Sequence, residues 1–246
     1  MTSVKTPANE AEARAIQDEL RSRVVLDEAG PQPGQGLVAG VDVAYDDERD
    51  LVAAAAVVLD AATLEVVAES TAVGHVSFPY VPGLLAFREL PTVLAALEAL
   101  PVTPGLVVCD GYGLAHPRGF GLACHLGVVT GLPSMGVAKN PFTFTYEEPG
   151  ARRGDASPLL APDGAVVGRA LRTQDGIKPV YVSVGHRVSL DGACAHALAL
   201  SPRFRIPETT RHADSLCRRA LREATAQDTA QDTAQDTAQD TAQDTP

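Results

Sequence analysis

Apolar positions recur along this chain with two periods, and the switches between them outline its elements. Residues 8–23 place Ala11, Ala15, Leu20 and Val24 at helical spacing, which predicts an amphipathic helix. Leu37–Tyr45, Leu51–Leu59 and Glu65–Thr71 then read as three successive strands. The linkers between them, Asp46–Asp50 and Ala61–Thr63, are short and polar, so an antiparallel meander is expected. Residues 83–100 return to a helical pattern, with Pro91 marking a break or a helix start inside it. Leu106–Asp110 is a short apolar strand ending in Asp-Gly, a Gly-rich turn leads to a helix near Phe120–Thr130, and Ser134–Val137 is a further strand. Asn140–Gly164 contains four Pro and three Gly and reads as a long loop. Val166–Leu171 and Pro179–Val184 resume strand character, and Leu190–Leu200 and Glu208–Thr225 are helical. Strands first, then strand–helix alternation, predict an α/β fold with a mixed sheet flanked by helices, in one domain over residues 1–225.

The end of the chain is different. Ala226–Thr245 is five copies of Ala-Gln-Asp-Thr, a polar repeat with no apolar face to bury, so residues 226–246 are expected to form a disordered tail. Charge sharpens the picture. The 246 residues carry 31 acids and 20 bases, a net −11. Five of those acids sit in the tail with no base, which leaves −6 for residues 1–225. Such a chain is a poor non-specific binder of nucleic acid, although a local basic groove is not excluded. Six arginines (203, 205, 211, 218, 219, 222) against Glu208 and Asp214 make residues 203–222 the basic exception. That segment either faces a nucleic-acid backbone or is a solvated helix face.

No run of eighteen apolar residues occurs, so no membrane span is expected, and the polar stretch Met1–Leu20 lacks the apolar core of a secretory signal. Cys109, Cys124, Cys194 and Cys217 form no C-x-x-C pair, so neither a zinc site nor a disulfide framework is suggested, and a cytoplasmic setting is the simplest expectation.

The most informative residues are acids inside apolar strands. Asp42 sits in LVAGVDVA (37–44) and by period two shares a face with Val38, Gly40 and Ala44. A buried carboxylate needs compensation, from an arginine or from a metal ion. Asp110 ends the strand 106–110, at the carboxyl end where open α/β sheets place their sites. With Glu89 the two would form a hard oxygen-ligand set suited to Mg²⁺ or Mn²⁺ rather than zinc. Acid clusters that hold such ions serve phosphate chemistry, and Lys139, just past a short strand, could stabilise developing charge. Each has a plainer alternative: an Asp-Gly turn, a helix-start Glu beside Arg88, a surface lysine.

Other chemistries find no support. G-x-S-x-G, the P-loop, G-x-G-x-x-G and H-E-x-x-H are all missing, and His75, His125, His186 and His196 lack metal-ligand spacing. A phosphatase using an Asp nucleophile would want a second acid two residues after Asp110, where Tyr112 stands. A non-catalytic nucleic-acid-binding module would not need three acids beside a phosphate.

Six stretches carry a resemblance: VAGVDVAY (38–45), FPYVPGLLAFRELP (78–91), DGYGLAHPRGFGLACHLGV (110–128), GVAKN (136–140), KPVYVSVGHRVSL (178–190) and RIPETTRHAD (205–214). Together they resemble endonuclease V, the deoxyinosine-directed nuclease family, over roughly residues 10–222. The resemblance implies a ribonuclease H-like fold, with Asp42, Asp110 and Glu89 as metal-binding carboxylates, Lys139 as the active-site lysine and Mg²⁺ (with Mn²⁺ able to substitute) as the cofactor. It places Tyr80, between Pro79 and Pro82, as an aromatic wedge at the lesion, and Asp214 at a position that helps from the last helix. His116 belongs to the Asp-Gly-x-Gly-x-x-His-Pro-Arg motif. Gly83, Leu85, Gly111 and Gly136 adjoin the matched motifs and are candidates for reading hypoxanthine through main-chain groups. The implied partner is DNA containing deoxyinosine, with inosine in RNA as the alternative, and the implied protein is a monomer. Cys124 stands where the family pattern suggests Ser, and no functional residue is carried over in the Pro-rich stretch 146–162.

Overall fold

The computed structural model describes residues 6–243, of which 229–243 as backbone only. The chain opens with α1 (Glu10–Arg21), capped by Asn9, whose side chain accepts a hydrogen bond from Glu12 N at 3.0 Å. The helix lies where the hydropathy pattern predicted it, but its buried face is Ala13, Ile16 and Gln17, while Ala11 and Ala15 are exposed. A glutamine interrupts the true apolar stripe, which is why the spacing pointed to the wrong face.

β1 (Leu37–Asp46), β2 (Leu51–Asp60) and β3 (Val66–His75) form the expected antiparallel meander. β2 is buried along nearly its whole length because both its faces are covered. Ala54, Ala56 and Val58 pack on one side and Ala55, Val57 and Leu59 on the other. β3, at the sheet edge, alternates exposed and half-buried residues instead. Next comes α2 (Ala86–Glu98), which passes through Pro91 without a break. The proline removes one helical hydrogen bond, and the full burial of Leu90 and Val93 holds the helix together around the gap.

β4 (Leu106–Cys109), α3 (Leu122–Thr130) and β5 (Ser134–Ala138) follow. The rest of the sheet is β6 (Ala156–Leu160), β7 (Val166–Leu171) and β8 (Val180–His186). β6 falls inside the stretch read as a long loop. It is the edge strand beside β7, bridged on its outer side to Thr145 through Leu160, and Pro158 opposite Arg169 is tolerated because it needs no outward ladder bond. α4 (Leu190–Ala199) and α5 (Glu208–Gln243) complete the order. α5 continues into the four-residue repeat as far as Gln243, and residues 244–246 of the expected tail lie outside the described residues. Alanine and glutamine propagate a helix well, and the packed first turns of α5 have already met the cost of nucleation.

The eight strands form one sheet in the order β3-β2-β1-β4-β5-β8-β7-β6. β1, β4 and β5 are mutually parallel, and the remaining pairs are antiparallel. This is the mixed, helix-flanked, ribonuclease H-like sheet that was expected. α2 and α3 cover one face and meet Ala39, Val41, Val107 and Cys109. α4 and α5 cover the other, against Val38, Leu106, Val182, Ala55 and Val57. Gly40 lets α5 sit directly on β1, since a Cβ there would lie 2.3 Å from the Thr209 backbone. Among the described residues no helix is long and apolar enough to cross a membrane, and all four cysteines are free and buried.

Candidate active site

The parallel register brings the strand acids together. β1 and β4 pair from Val38 opposite Leu106 to Val41 opposite Cys109, so the next rung juxtaposes Asp42 and Asp110. The Asp110 amide nitrogen still reaches Val41 O at 3.5 Å. Alternation points both acids to the α5 face of the sheet. β4 pairs in parallel with β5 up to Cys109 opposite Gly136, and Lys139, just past β5, sets its Nζ 2.5 Å from Asp110 Oδ2. Glu89 enters from the first turn of α2, 7 % exposed, and accepts a hydrogen bond from the Tyr45 hydroxyl at 3.0 Å. The Arg88 guanidinium lies 4.5 Å over the Tyr45 ring. Asp214 approaches from α5, held by Arg218 at 3.0 Å.

The electrostatics mark these groups as one site. Burial and the neighbouring Asp110 charge push the Asp42 carboxyl up to about 7, although Asp42 Oδ1 accepts a hydrogen bond from Val43 N at 2.8 Å. Burial, with the charges of Asp42 and Asp110, pushes Glu89 up to about 8 against the opposing Tyr45 hydrogen bond. Burial disfavours the Lys139 ammonium, but its bond to Asp110 and the field of Asp110, Asp42 and Asp214 prevail and hold its pKa above the ordinary value. No arginine neutralises Asp42 and Asp110 one by one; a shared lysine partly offsets an excess of carboxylate.

Beside them opens a cavity of about 220 Å³. It is lined by Asp110, Gly111 and Tyr112, by Tyr80, Gly83 and Leu85 of the 78–85 loop, and by His116, Leu122 and Phe142. Gly111 turns the chain there with φ +147°, a conformation side chains resist. The loop carrying Tyr80 is anchored at both ends, since Phe78 packs on Phe87 at 5.9 Å and Leu84 is buried, yet Tyr80 itself stands 68 % exposed at the rim. His116, half-buried and facing the Gly83 backbone, has its pKa lowered to about 4 by desolvation, so it is neutral at ordinary pH.

Of the residues singled out in the sequence, Asp42, Glu89, Asp110, Lys139 and Asp214 meet at the carboxylate cluster, and Tyr80, Gly83, Leu85, Gly111 and His116 line the cavity. Gly136 does neither. It is buried beneath the 111–113 turn, where a Cβ would lie 2.4 Å from Gly111 O, so it seats the turn rather than facing a ligand. In the arginine-rich segment Arg205 is tied to the fold, while Arg211, Arg218 and Arg219 sit in exposed surface ion pairs. Arg205 donates to the carbonyls of Lys178, Lys139 and Pro179, Arg211 pairs with Glu208, Arg218 with Asp214 and Arg219 with Glu69. Phe142, stacked on Tyr112 at 5.8 Å, is a cavity residue the sequence reading did not find. A Pro-flanked aromatic in an apparent loop gave no signal until the fold placed it against Tyr112.

Among known families, the model of endonuclease V matches residues 18–215. The chain belongs to the endonuclease V family. It is 77 % identical over 230 residues to endonuclease V of Streptomyces avermitilis, covering 92 % of this chain and all of that one. It is 61 % identical over 226 residues to that of Nocardia farcinica, covering 92 % and 98 %. A crystal structure of the Streptomyces avermitilis endonuclease V superimposes with TM-score 0.88 over 89 % of this chain and 96 % of that chain. The Ciona intestinalis endonuclease V, 28 % identical with TM-score 0.77 over 87 % and 98 %, was solved with a 24-mer DNA containing an inosine followed by a ribo-adenosine. As an endonuclease V family member this chain is a nuclease acting on phosphodiester bonds. Among the described residues no three His, Cys, Asp or Glu side chains lie grouped so that they could hold a metal ion as they stand. The donor chemistry nonetheless fits a hard divalent cation, because Asp42 and Glu89 are carboxylates raised by burial and by acidic neighbours, a penalty such an ion would remove.

Proposed function

We propose that this endonuclease V family chain recognises deoxyinosine in DNA and hydrolyses the second phosphodiester bond 3′ to it, leaving 3′-hydroxyl and 5′-phosphate ends. The observation that carries the reading is the juxtaposition of Asp42 and Asp110 one rung past the last pair of β1 and β4, next to a cavity that Asp110 itself lines. Asp42, Asp110 and Glu89 would hold Mg²⁺, or Mn²⁺ in its place, and the ion would supply Lewis acidity to the phosphate and to the attacking water. The chain's own residues do the remainder. Tyr80 at the rim can occupy the gap left by an extruded base, and the cavity takes the base itself. Neutral His116 and the backbone of Gly83, Leu85 and Gly111 offer hydrogen-bonding groups rather than charge to a neutral hypoxanthine. Lys139 fixes the Asp110 carboxylate and puts a positive charge beside the reacting phosphate. Asp214 lies at the same cluster, steadied by Arg218.

Inosine in RNA is a second substrate worth weighing, because the DNA bound to the Ciona relative carries a ribonucleotide directly after its inosine. The deciding experiment incubates matched deoxyinosine DNA and inosine RNA strands with the protein, with Mg²⁺ or with chelator. Mg²⁺-dependent cutting one linkage beyond the nucleotide 3′ of the lesion is expected. Cutting that ignores inosine, or that persists fully in chelator, would overturn the assignment.

A further inference from the structure

One of the fully buried side chains of α1 is polar. Gln17 is 1 % exposed, and its amide Nε2 donates to Gly83 O at 2.9 Å and to Phe120 O at 3.3 Å. Those carbonyls lie 66 and 103 residues further along the chain. They belong to the Tyr80 loop and to the turn leading into α3, and Gly83 and, next to Phe120, Gly121 line the cavity together with Gln17 itself. Because both partners can only accept, the amide has one orientation, with nitrogen toward the two carbonyls. Its Oε1 is then left buried with no hydrogen-bond partner in the fold. A side chain serving only to fill the interior beneath α1 would be apolar at this depth, like its neighbours Ala13 and Ile16.

We propose that Gln17 is a positioning residue for base selection. Its amide fixes the spacing between the Gly83 and Phe120 carbonyls, so that both loop backbones present a rigid edge to an extruded base. The proposal rests on the reading of the cavity as the base pocket. Gln17 acts on loops that line the cavity and not on the Asp42, Asp110 and Lys139 cluster, so the effect falls on substrate selection rather than on the chemical step.

The test uses Gln17→Met, which keeps the length and removes both donors, and Gln17→Asn, which keeps the donors on a shorter arm. Cleavage of deoxyinosine and unmodified strands is measured alongside amide hydrogen exchange of segments 78–85 and 117–122 in the free protein. Gln17→Met should raise KM on the deoxyinosine strand tenfold or more, hold kcat within about threefold, and narrow the preference for inosine at least tenfold, with Gln17→Asn in between. Exchange should quicken in both segments together. Unchanged KM and preference in folded protein would overturn the proposal, and so would a loss of activity that merely tracks the unfolded fraction. If the unaltered protein failed to cut the deoxyinosine strand, the base-pocket reading would fail, yet exchange would still decide on the staple: joint quickening upholds it, and unchanged exchange overturns it.

Discussion

The two faces of β1 differ in kind. Toward α2 and α3, Ala39 and Val41 close into an apolar cluster with Leu90, Val93 and Leu126, all of them buried. Toward α4 and α5 the same strand presents Val38, Gly40, Asp42 and Ala44, where a glycine yields its side-chain space to the Thr209 backbone and an aspartate holds a charge. Ala39 and Val41 serve cohesion, whereas on the other face Val38 packs into the interior and Asp42 serves the site. One strand can therefore carry stability and chemistry at once, and mutations on the two faces should separate them.

The largest separation is expected for Asp110→Ala. Cleavage should fall at least about a thousandfold, roughly 4 kcal/mol of transition-state stabilisation, while the melting temperature holds or rises because a like charge beside Asp42 is gone. Retained cutting would dissolve the distinction between the faces. Leu90→Ala reverses the pattern: a fully buried leucine of the closed face should cost about 2–5 kcal/mol in chemical denaturation, with normal turnover per folded molecule.

His125 sharpens the comparison through pH. It sits on the closed side among Phe87 and Phe120, at ring distances of 5.1 and 5.3 Å, and burial lowers its pKa to about 4. The unfolded chain takes up this proton near pH 6.5 and the folded chain only near 4, so stability present above pH 6.5 drains as pH falls, by roughly 3 kcal/mol from this residue. Urea titrations at pH 7 and pH 4.5 should record the loss, and His125→Leu should flatten it. The smallest effect belongs to Tyr80→Ala, expected to weaken binding of deoxyinosine DNA by about 1–3 kcal/mol without shifting the melt. Equal weakening on intact duplex would remove the lesion-specific role.

How much of this was legible follows from range. The meander could be read because its linkers are short and its partners adjacent in sequence. Asp42 and Asp110 could be read because an acid in an apolar strand is locally anomalous. β6 was hidden by Pro158, whose edge position is a property of the sheet and not of the segment. The partners within residues 203–222 were not legible, because Glu69, which takes Arg219, lies 150 residues away, and the carbonyls that take Arg205 cannot be counted from charge. Gln17 gave no local signal, since both its hydrogen-bond partners are remote in sequence. Gly136 was correctly placed beside the site in sequence, but only packing distinguishes a residue under a turn from one facing a ligand.

β1 runs on to Asp46 beside β2, whereas its pairing with β4 stops at Val41. The site thus occupies a notch whose position is set by counting residues. Inserting one amino acid within 106–109 would turn Asp110 toward the wrong side of the sheet and pull Lys139 out of reach, however faithfully every side chain were retained. This part of the chain should accept a change of letter far more readily than a change of length.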